Sequence, residues 1–442
     1  MRIIHTSDWH LGQYFYGKSR ASEHQQFLNW LLTQVDIHKV DAIIVAGDIF
    51  DTKTPPSYAR QMYYNFISDL QAFNCQLVVL AGNHDSVSML TESKEILSVL
   101  STKVIGNVTD TEIDSNLSEQ VFFLKNKQGV EQAVICAVPF IRPRDVIKSK
   151  EGQSAADKSK QLQQAIVDHY QCLFEYAQSL VAQYEKANKG GEKSKLPIIG
   201  TGHLTALGVT TSDSVRDIYI GTLEAFPSNA FPKADYIALG HIHRAQKVGK
   251  TKHIRYSGSP IALSFDEAKQ TKRVLLVDFE KTNLPTITEL NIPCFQPLAM
   301  LKTTIEKLEQ DLETLIPTLL TPHLSKKNNN IKVWLDIELA NAGLLNDLQP
   351  KIHAIVEKYP VEVLLVRRQK KVREQLLLTK NKDLSTLNEL TIDEVFDSRL
   401  QQELSLNEAI DSQEQSTLAK RKERLTTLFK QTVSQVLEVD ES

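Results

Sequence analysis

Cysteine is scarce in this chain, and the cysteines that are present show no pairing pattern. The 442 residues include four cysteines, which are Cys75, Cys136, Cys172 and Cys294. They lie far apart and form no Cys-x-x-Cys motif, which argues against a disulfide framework. We therefore expect reduced, structural thiols in a cytoplasmic protein.

Long hydrophobic runs and a strong charge of one sign are also missing. No stretch approaches the roughly 18 apolar residues that a membrane helix requires, so we expect no membrane association. The sequence runs from Met1 directly into a predicted strand, which leaves no room for a signal peptide. The net charge of −3 excludes a global cationic field, so any DNA binding must rely on local basic patches and bound metals.

The chain does contain five short segments in which a possible metal ligand follows an apolar run and a Gly or Ser. They are Ser7-Asp8-Trp9-His10, Gly47-Asp48, Gly82-Asn83-His84-Asp85, Gly202-His203 and Gly240-His241-Ile242-His243. This pattern predicts a strand that delivers a side chain at its carboxyl end, where open α/β sheets bind their ligands. A single Gly-Asp or Gly-His is usually a turn, but the joint occurrence of these segments predicts one shared metal site.

The candidate ligands supply only oxygen and imidazole donors. They are Asp8, His10, Asp48, Asn83, His203, His241 and His243. This set suits Mn, Fe or Zn better than Ca, which prefers oxygen alone. Two metals about 3.5–4 Å apart need a bridging carboxylate, and Asp48 is our candidate for it. Such a site attracts a phosphate anion.

Two residues next to the ligands are candidates for catalysis. His84 follows Asn83 directly, so we expect it to face the substrate, where it would protonate the leaving oxygen or stabilise charge on the phosphorane. We expect Asp85 to orient His84. The other histidines lack this context and are interpreted as core or surface residues: His5, His24, His38, His169, His253, His323 and His353.

Strand and helix patterns alternate over residues 1–280, which predicts sheet layers covered by helices. A small α+β unit is expected over 281–375. The elements predicted in the two units are strands 121–124, 133–138 and 272–278, helix 156–186, helix 301–315, strand 331–338, helix 345–358 and strand 361–366. The second unit ends in a basic run over 367–373, for which a solvated strand end and a phosphate-contacting patch both remain open.

The segment 376–442 is polar and then helical. Thr391 and Glu394 match a capping box that opens a first helix. The two predicted helices carry the apolar stripes Ile392/Val395/Phe396/Leu400 and Leu425/Leu428/Phe429/Val436. Such helices could fold back on the body of the protein or dock on a partner helix.

The five ligand motifs resemble those of the calcineurin-like metallophosphoesterases. More narrowly, nearly the whole chain resembles the SbcD family, the nuclease subunits of bacterial SbcC–SbcD complexes. The motifs that add to this resemblance are Tyr256-Ser257-Gly258-Ser259-Pro260 and Leu390-Thr391-Ile392-Asp393-Glu394-Val395-Phe396. The resemblance implies an α/β fold: a layered metallophosphoesterase β-sandwich flanked by helices, with a small α+β capping domain and C-terminal helices.

The resemblance also implies an activity and partners. It implies Mn²⁺-dependent 3′→5′ exonuclease activity on double strands and endonuclease activity on single strands and hairpins, in DNA repair and recombination. One metal would take Asp8, His10, Asp48 and His243, the other Asp48, Asn83, His203 and His241, with His84 as the catalytic histidine. No role follows for Asp51.

The same resemblance assigns the domains. Residues 1–280 would be the nuclease domain, residues 281–375 the capping domain that contacts DNA, and residues 376–442 the segment that binds an SbcC-type ABC ATPase. The chain would form a homodimer within a heterotetramer.

Two other functional classes compete with the nuclease. One is a small-substrate phosphatase or cyclic-nucleotide phosphodiesterase on the same metal core. The other is a scaffold that kept the fold and lost catalysis. Loss of metal ligands would indicate such a scaffold, and none of the ligands is missing here. The second unit and the tail favour the nuclease, because a monoesterase needs neither.

Overall fold

Two six-stranded sheets form the centre of the first unit, Met1–Phe295, in the computed structural model of the chain. The structure describes residues 1–108, 114–147, 154–188, 196–216, 218, 225–279, 284–320, 331–340, 345–369, 396, 399–400, 424–426 and 428–429. A second unit comprises Gln296–Ser442.

The first sheet has four parallel strands and two antiparallel ones. Its strands are β1 Arg2–Thr6, β4 Ala42–Ala46, β5 Gln76–Leu80, β6 Thr102–Ile105, β13 Arg273–Asp278 and β14 Thr286–Asn291. Their order is β14-β13-β1-β4-β5-β6, with β1, β4, β5 and β6 parallel. A short hairpin, β2 Tyr14–Phe15 and β3 Lys18–Ser19, follows β1 in the chain.

The second sheet also has a parallel centre, with antiparallel strands at both edges. Its strands are β7 Val121–Lys125, β8 Glu131–Cys136, β9 Ile198–His203, β10 Tyr236–Gly240, β11 Gln246–Lys247 and β12 Ile254–Tyr256. Their order is β11-β12-β10-β9-β8-β7. The strands predicted over 121–124, 133–138 and 272–278 correspond to β7, β8 and β13.

The helices of the first unit lie between these strands in the chain. They are α1 Ala21–Ile37, α2 Ser57–Leu70, α3 Val87–Thr91, α4 Lys94–Val99, α5 Asp114–Gln120, α6 Pro143–Val146 and α7 Ala155–Ala187. Ser154 is the N-cap of helix α7, and its Oγ accepts a hydrogen bond from the backbone N–H of Asp157 at 3.1 Å. Helix α7 matches the helix predicted over 156–186.

The two sheets pack face to face, and helices cover their outer faces. In β4, Ile43 and Val45 pack with α1 and α2, whereas Ile44 and Ala46 pack against the second sheet. This alternation follows from the two-residue period of a strand, and burial on both faces explains the unbroken apolar run. Helix α7 covers the second sheet. The predicted layered α/β sandwich is confirmed.

The second unit is built on a three-stranded parallel sheet. Its elements are β15 Leu298–Thr303, α8 Leu308–Leu319, β16 Val333–Leu339, α9 Leu345–Val356 and β17 Val361–Arg368. The strand order is β15-β16-β17. The predicted helix over 301–315 is wrong in its first part: residues 298–303 form a strand, because β16 offers them a parallel partner from Leu298 to Thr303.

The boundary between the units differs from the predicted one. Strand β14 pairs with β13 in the first sheet, so the first unit extends to Phe295 and does not end at residue 280. Of the basic run, Arg367 donates to Asp336 at 2.6 Å and Arg368 is buried, so both side chains are held within the second unit. Residues 370–373 and most of 376–442 lie outside the described residues.

In the described part of the chain, no helix is long and apolar enough to cross a membrane.

Candidate metal centre

The candidate ligands lie at the carboxyl ends of parallel strands from both sheets. Asp8 follows β1, Asp48 follows β4 and Asn83 follows β5. In the second sheet, His203 is the last residue of β9 and His241 directly follows β10. Because the two sheets pack face to face, these strand ends meet in one place, where open α/β sheets bind ligands.

The glycines before the ligands give the two sheets room to approach each other. A Cβ atom on Gly240 would lie 1.9 Å from the carbonyl oxygen of Ala46, which belongs to the other sheet. A Cβ atom on Gly47, whose φ is +95°, would lie 2.1 Å from His203 Nδ1. The apolar-run-then-glycine pattern therefore marks the places where a side chain would separate the sheets.

Four candidate ligands have left-handed backbone conformations. The φ angles of Asp8, His10, Asp48 and His241 are 53°, 47°, 52° and 88°. Such non-glycine residues cost about 1–3 kcal/mol each and persist where surrounding contacts fix them. Here Asp8 N donates to Gly47 O at 3.0 Å and His10 N donates to Asp48 O at 3.1 Å. Of the eight described non-glycine residues with a positive φ, these four are predicted ligands.

Asp48 lies at the centre of the cluster. Its Oδ2 atom is 3.2 Å from His203 Nε2 and 3.6 Å from His10 Nε2. Its Oδ1 atom accepts a hydrogen bond from the backbone N–H of His84 at 2.9 Å. A single carboxylate oxygen therefore faces a histidine of each predicted metal, which supports the bridging role that we predict.

On the first side of the cluster are Asp8, His10 and His243. Asp8 accepts hydrogen bonds from Ser7 Oγ at 2.5 Å and from the backbone N–H of His241 at 2.9 Å. His10 Nδ1 contacts Asp51 Oδ1 at 3.2 Å. Donation from Nδ1 to the carboxylate leaves Nε2 of His10 as the nitrogen available to a metal.

On the second side are Asn83, His203 and His241. The Oδ1 atom of Asn83 is 3.0 Å from both His203 Nε2 and His241 Nδ1. His203 Nδ1 contacts the Ala46 carbonyl at 2.8 Å, so this ring donates from Nδ1 and presents Nε2 inward. Three donor atoms of the predicted second site thus converge.

The donor set fits divalent metal ions. Within the described residues, His10 Nε2, which faces Asp48, is a buried nitrogen atom without a hydrogen-bond partner. The ligand atoms fall into three groups, each within 4.8 Å: Asp8/His10/His243, His10/Asp48/His84 and Asp48/His203/His241. Burying carboxylates together is costly unless cations compensate them. Two bound cations would supply that compensation.

The electrostatics of the cluster agree with this fit. Burial alone would lower the pKa of His203, but the Asp48 carboxylate reverses this and raises the pKa to about 9. Burial would likewise raise the pKa of Asp48, yet His203 and His84 hold it well below the usual range. A proton on His203 therefore takes the place of a cation in the metal-free chain, and metal binding would release it.

His84 is held by a residue other than the predicted one. The sequence predicts that Asp85 orients His84, and the structure differs. His84 Nδ1 contacts the Asp51 carbonyl at 2.8 Å, while the Asp85 carboxylate accepts the backbone N–H groups of Gly82, Ile49 and Phe50 at 2.8–3.1 Å. Burial, and then the nearby Asp48, raise the pKa of Asp85 to about 6. Asp85 joins the two ligand loops, and Asp51 holds both His10 and His84.

A hydrogen-bond chain behind His243 was not predicted. His243 Nδ1 contacts Ser214 Oγ at 2.6 Å, and Ser214 Oγ donates to Glu267. Glu267 is buried and also accepts from Lys272 Nζ at 2.5 Å and Ser212 Oγ at 2.6 Å. No metal-ligand spacing surrounds these residues, so the sequence carries no local signal for them.

Comparison with known proteins gives the family. The profile described as calcineurin-like phosphoesterase matches residues 1–245, and that described as type 5 capsule protein repressor C-terminal domain matches residues 294–403. The SbcD subunit of the nuclease SbcCD from Escherichia coli strain K12 is 49% identical over 400 residues, covering 90% of this chain and 92% of that protein.

Two further relatives carry the same name. The one from Rhodobacter capsulatus is 32% identical, covering 68% of this chain and 71% of its own length. The one from Bacillus subtilis is 28% identical, covering 81% and 84%. The chain therefore belongs to the calcineurin-like phosphoesterases and, within them, to the SbcD family, which confirms the predicted resemblance. As a member, it is a metal-dependent phosphoesterase.

Proposed function

We propose that this chain is the nuclease subunit of a DNA-processing complex. It would use Mn²⁺ for 3′→5′ exonuclease activity on double strands and for endonuclease activity on single strands and hairpins, in repair and recombination. The observation that carries the proposal is the set of seven candidate oxygen and imidazole ligands centred on Asp48, all of them buried except the half-buried Asn83. The relatives are named as parts of the nuclease SbcCD, and that name supports DNA as the substrate.

The side chains have distinct tasks in this proposal. Two divalent ions, when bound, would act as Lewis acids on the phosphodiester and activate water at neutral pH. Asp8, His10, Asp48 and His243 would hold one ion; Asp48, Asn83, His203 and His241 would hold the other. His84 donates from Nδ1 to Asp51, so its Nε2 remains to exchange a proton with the leaving oxygen or to bind the phosphorane.

The proposed ATPase partner would bind the tail. Leu425 and Leu428 are 39% and 55% exposed, and Phe396 and Phe429, one from each predicted helix, stack with ring centroids 3.9 Å apart. Exposed leucines beside a stacked aromatic pair suit a helical partner. We also propose a homodimer within a heterotetramer, and DNA contact by the second unit.

One experiment separates the candidate functions. Purified protein with Mn²⁺ is incubated with hairpin DNA, plasmid and p-nitrophenyl phosphate, with and without the ATPase. We expect cleavage of both DNAs and slow release of nitrophenol. Rapid release of nitrophenol with both DNAs intact would instead identify a small-substrate phosphatase.

The partner has its own test. A chain cut near residue 380 should keep its melting temperature and basal nuclease activity, and should no longer co-purify with the ATPase. A large drop in melting temperature with ATPase binding intact would show that the tail belongs to the core of this protein.

A further inference from the structure

The hairpin after His10 has an unusual residue in its turn. Phe15 pairs with Lys18, and the two residues between them, Tyr16 and Gly17, have φ angles of 48° and 78°. Two central residues with positive φ are the pattern of a type I′ turn, which favours Asn, Asp or Gly at both positions. A tyrosine there is strained, because its Cβ crowds the backbone in this conformation.

Two of the three aromatic side chains of this hairpin are exposed by half or more of their surface. Tyr14 and Tyr16 are 60% and 53% exposed, whereas Phe15 between them is 3% exposed. The alternation places Tyr14 on the outer face of the hairpin, and Tyr16 in the turn keeps about half of its surface exposed. A strained backbone that presents exposed rings is an outlier of the kind that accompanies a functional surface.

The hairpin is linked to the metal centre in two ways, through the chain that connects it to His10 and through its contact with Phe265. Tyr14 lies four residues after His10, so their Cα atoms are at most about 14 Å apart, a few nucleotides at the rise of one DNA strand. The rings of Phe15 and Tyr16 pack against the ring of Phe265, with centroids 5.0 and 5.5 Å apart. Phe265 belongs to the same short turn of helix as Glu267, which supports His243 through Ser214.

We propose that Tyr14 and Tyr16 form a stacking platform for unpaired nucleobases of the strand whose phosphates enter the metal centre. The proposal rests on the nuclease function proposed above. Every base has a π-face, so stacking on aromatic rings is tolerant of sequence. A paired duplex keeps its base faces covered, so the platform binds frayed ends and hairpin loops in preference to closed duplex.

The test compares two single strands of equal length and charge, one with all its bases and one abasic. Binding of each fluorescent strand to the full-length protein is measured by anisotropy without added metal, so that neither is cut. Tyr16→Asn should weaken binding of the base-containing strand about 5- to 150-fold, the range of stacking on one ring. Binding of the abasic strand should not change, and Tyr16→Trp should bind like the wild type.

Asparagine suits the turn, and this gain offsets the loss of the ring contact with Phe265, so we expect Tyr16→Asn to unfold close to the temperature of the wild type. Ser101→Asn is the matched control: Ser101 is exposed, has a φ of 50° and lies in another turn. It should leave binding of both strands unchanged.

Two results would overturn the platform. In one, Tyr16→Asn binds the base-containing strand like the wild type; in the other, it loses affinity for both strands equally. If the wild type cleaves DNA normally in either case, the platform fails alone. A wild type that neither binds nor cleaves DNA would overturn the nuclease function as well.

Discussion

The two sides of the metal centre are held by different kinds of partner. On the first side, carboxylates support the ligands: Asp51 contacts His10, and Glu267 supports His243 through Ser214. On the second side, the partner of His203 is the backbone carbonyl of Ala46.

This difference decides what each side is sensitive to. A carboxylate behind an imidazole raises the basicity of the ligand and fixes its ring, and its loss costs metal affinity. A strand carbonyl is placed by the sheet and responds only when the backbone moves. We therefore expect the first side to respond to side-chain substitutions at a distance, and the second side to changes in sheet packing.

Asp48 belongs to both sides, so its removal should have the largest effect. Asp48→Ala should abolish both metal sites together and with them the activity, because its Oδ2 atom faces His10 and His203 at once. Metal content by mass spectrometry measures this, with Asp8→Ala and His203→Ala as controls that weaken mainly one side each. If the Asp48 variant retains two metal ions, Asp48 does not bridge the two sites.

His84 should separate chemistry from metal binding. His84→Ala is expected to keep both metals and DNA affinity while its cleavage rate falls by roughly 10²–10⁴, the usual range for a general acid or base. Single-turnover cleavage and metal content are measured on the same preparation. His84 also lies in a group with His10 and Asp48, so loss of a metal in this variant would make it a ligand instead.

Gly240 tests the dependence of the second side on the backbone. Gly240→Ala would place a Cβ atom 1.9 Å from the Ala46 carbonyl that holds His203. We expect the second metal to be lost, with a destabilisation of about 1–3 kcal/mol or more from overpacking. Metal content and thermal unfolding are the measurements.

Gly200→Ala is the matched control for that change, because its Cβ would meet Ile237 at an ordinary 3.4 Å. Normal occupancy of both sites in Gly240→Ala would show that the close approach of the sheets does not hold the second side.

The candidate ligands can be selected from the sequence because their signal is local. An apolar run, a glycine and a ligand occupy a few consecutive residues, and the same glycine that marks the motif makes room for the other sheet. The helical spacing of its apolar residues likewise predicts helix α7. The same kind of pattern does not predict the strand over 298–303, because that strand exists only through its pairing with β16.

The residues that support the ligands likewise cannot be predicted from short sequence motifs, because they approach the ligands only in the folded chain. Ser214 and Glu267 lie 29 and 24 residues from His243, and only the fold brings them together. Adjacency in sequence does not predict the role of Asp85, because its carboxylate accepts hydrogen bonds from three backbone N–H groups and does not contact the His84 ring. His84 is held by the backbone carbonyl of Asp51, and because every residue has such a carbonyl, the sequence does not indicate this contact.

The smallest effect should come from the hydroxyl behind His243. Ser214→Ala removes the link between His243 Nδ1 and Glu267, whose own oxygen stays 3.5 Å from that nitrogen. We expect affinity for the first-side metal to fall about 10- to 100-fold, as for other outer partners of metal-binding histidines, with the second site unchanged.

Ser212→Ala is the matched control, because Ser212 donates to the same Glu267 oxygen at 2.6 Å without contacting His243 in the described structure. Calorimetric titration of the metal-free proteins with Mn²⁺ measures the affinity of each of the two metal sites. Equal losses in the two serine variants would assign the effect to Glu267 and its surroundings, and equal losses at both metals would remove the difference between the two sides.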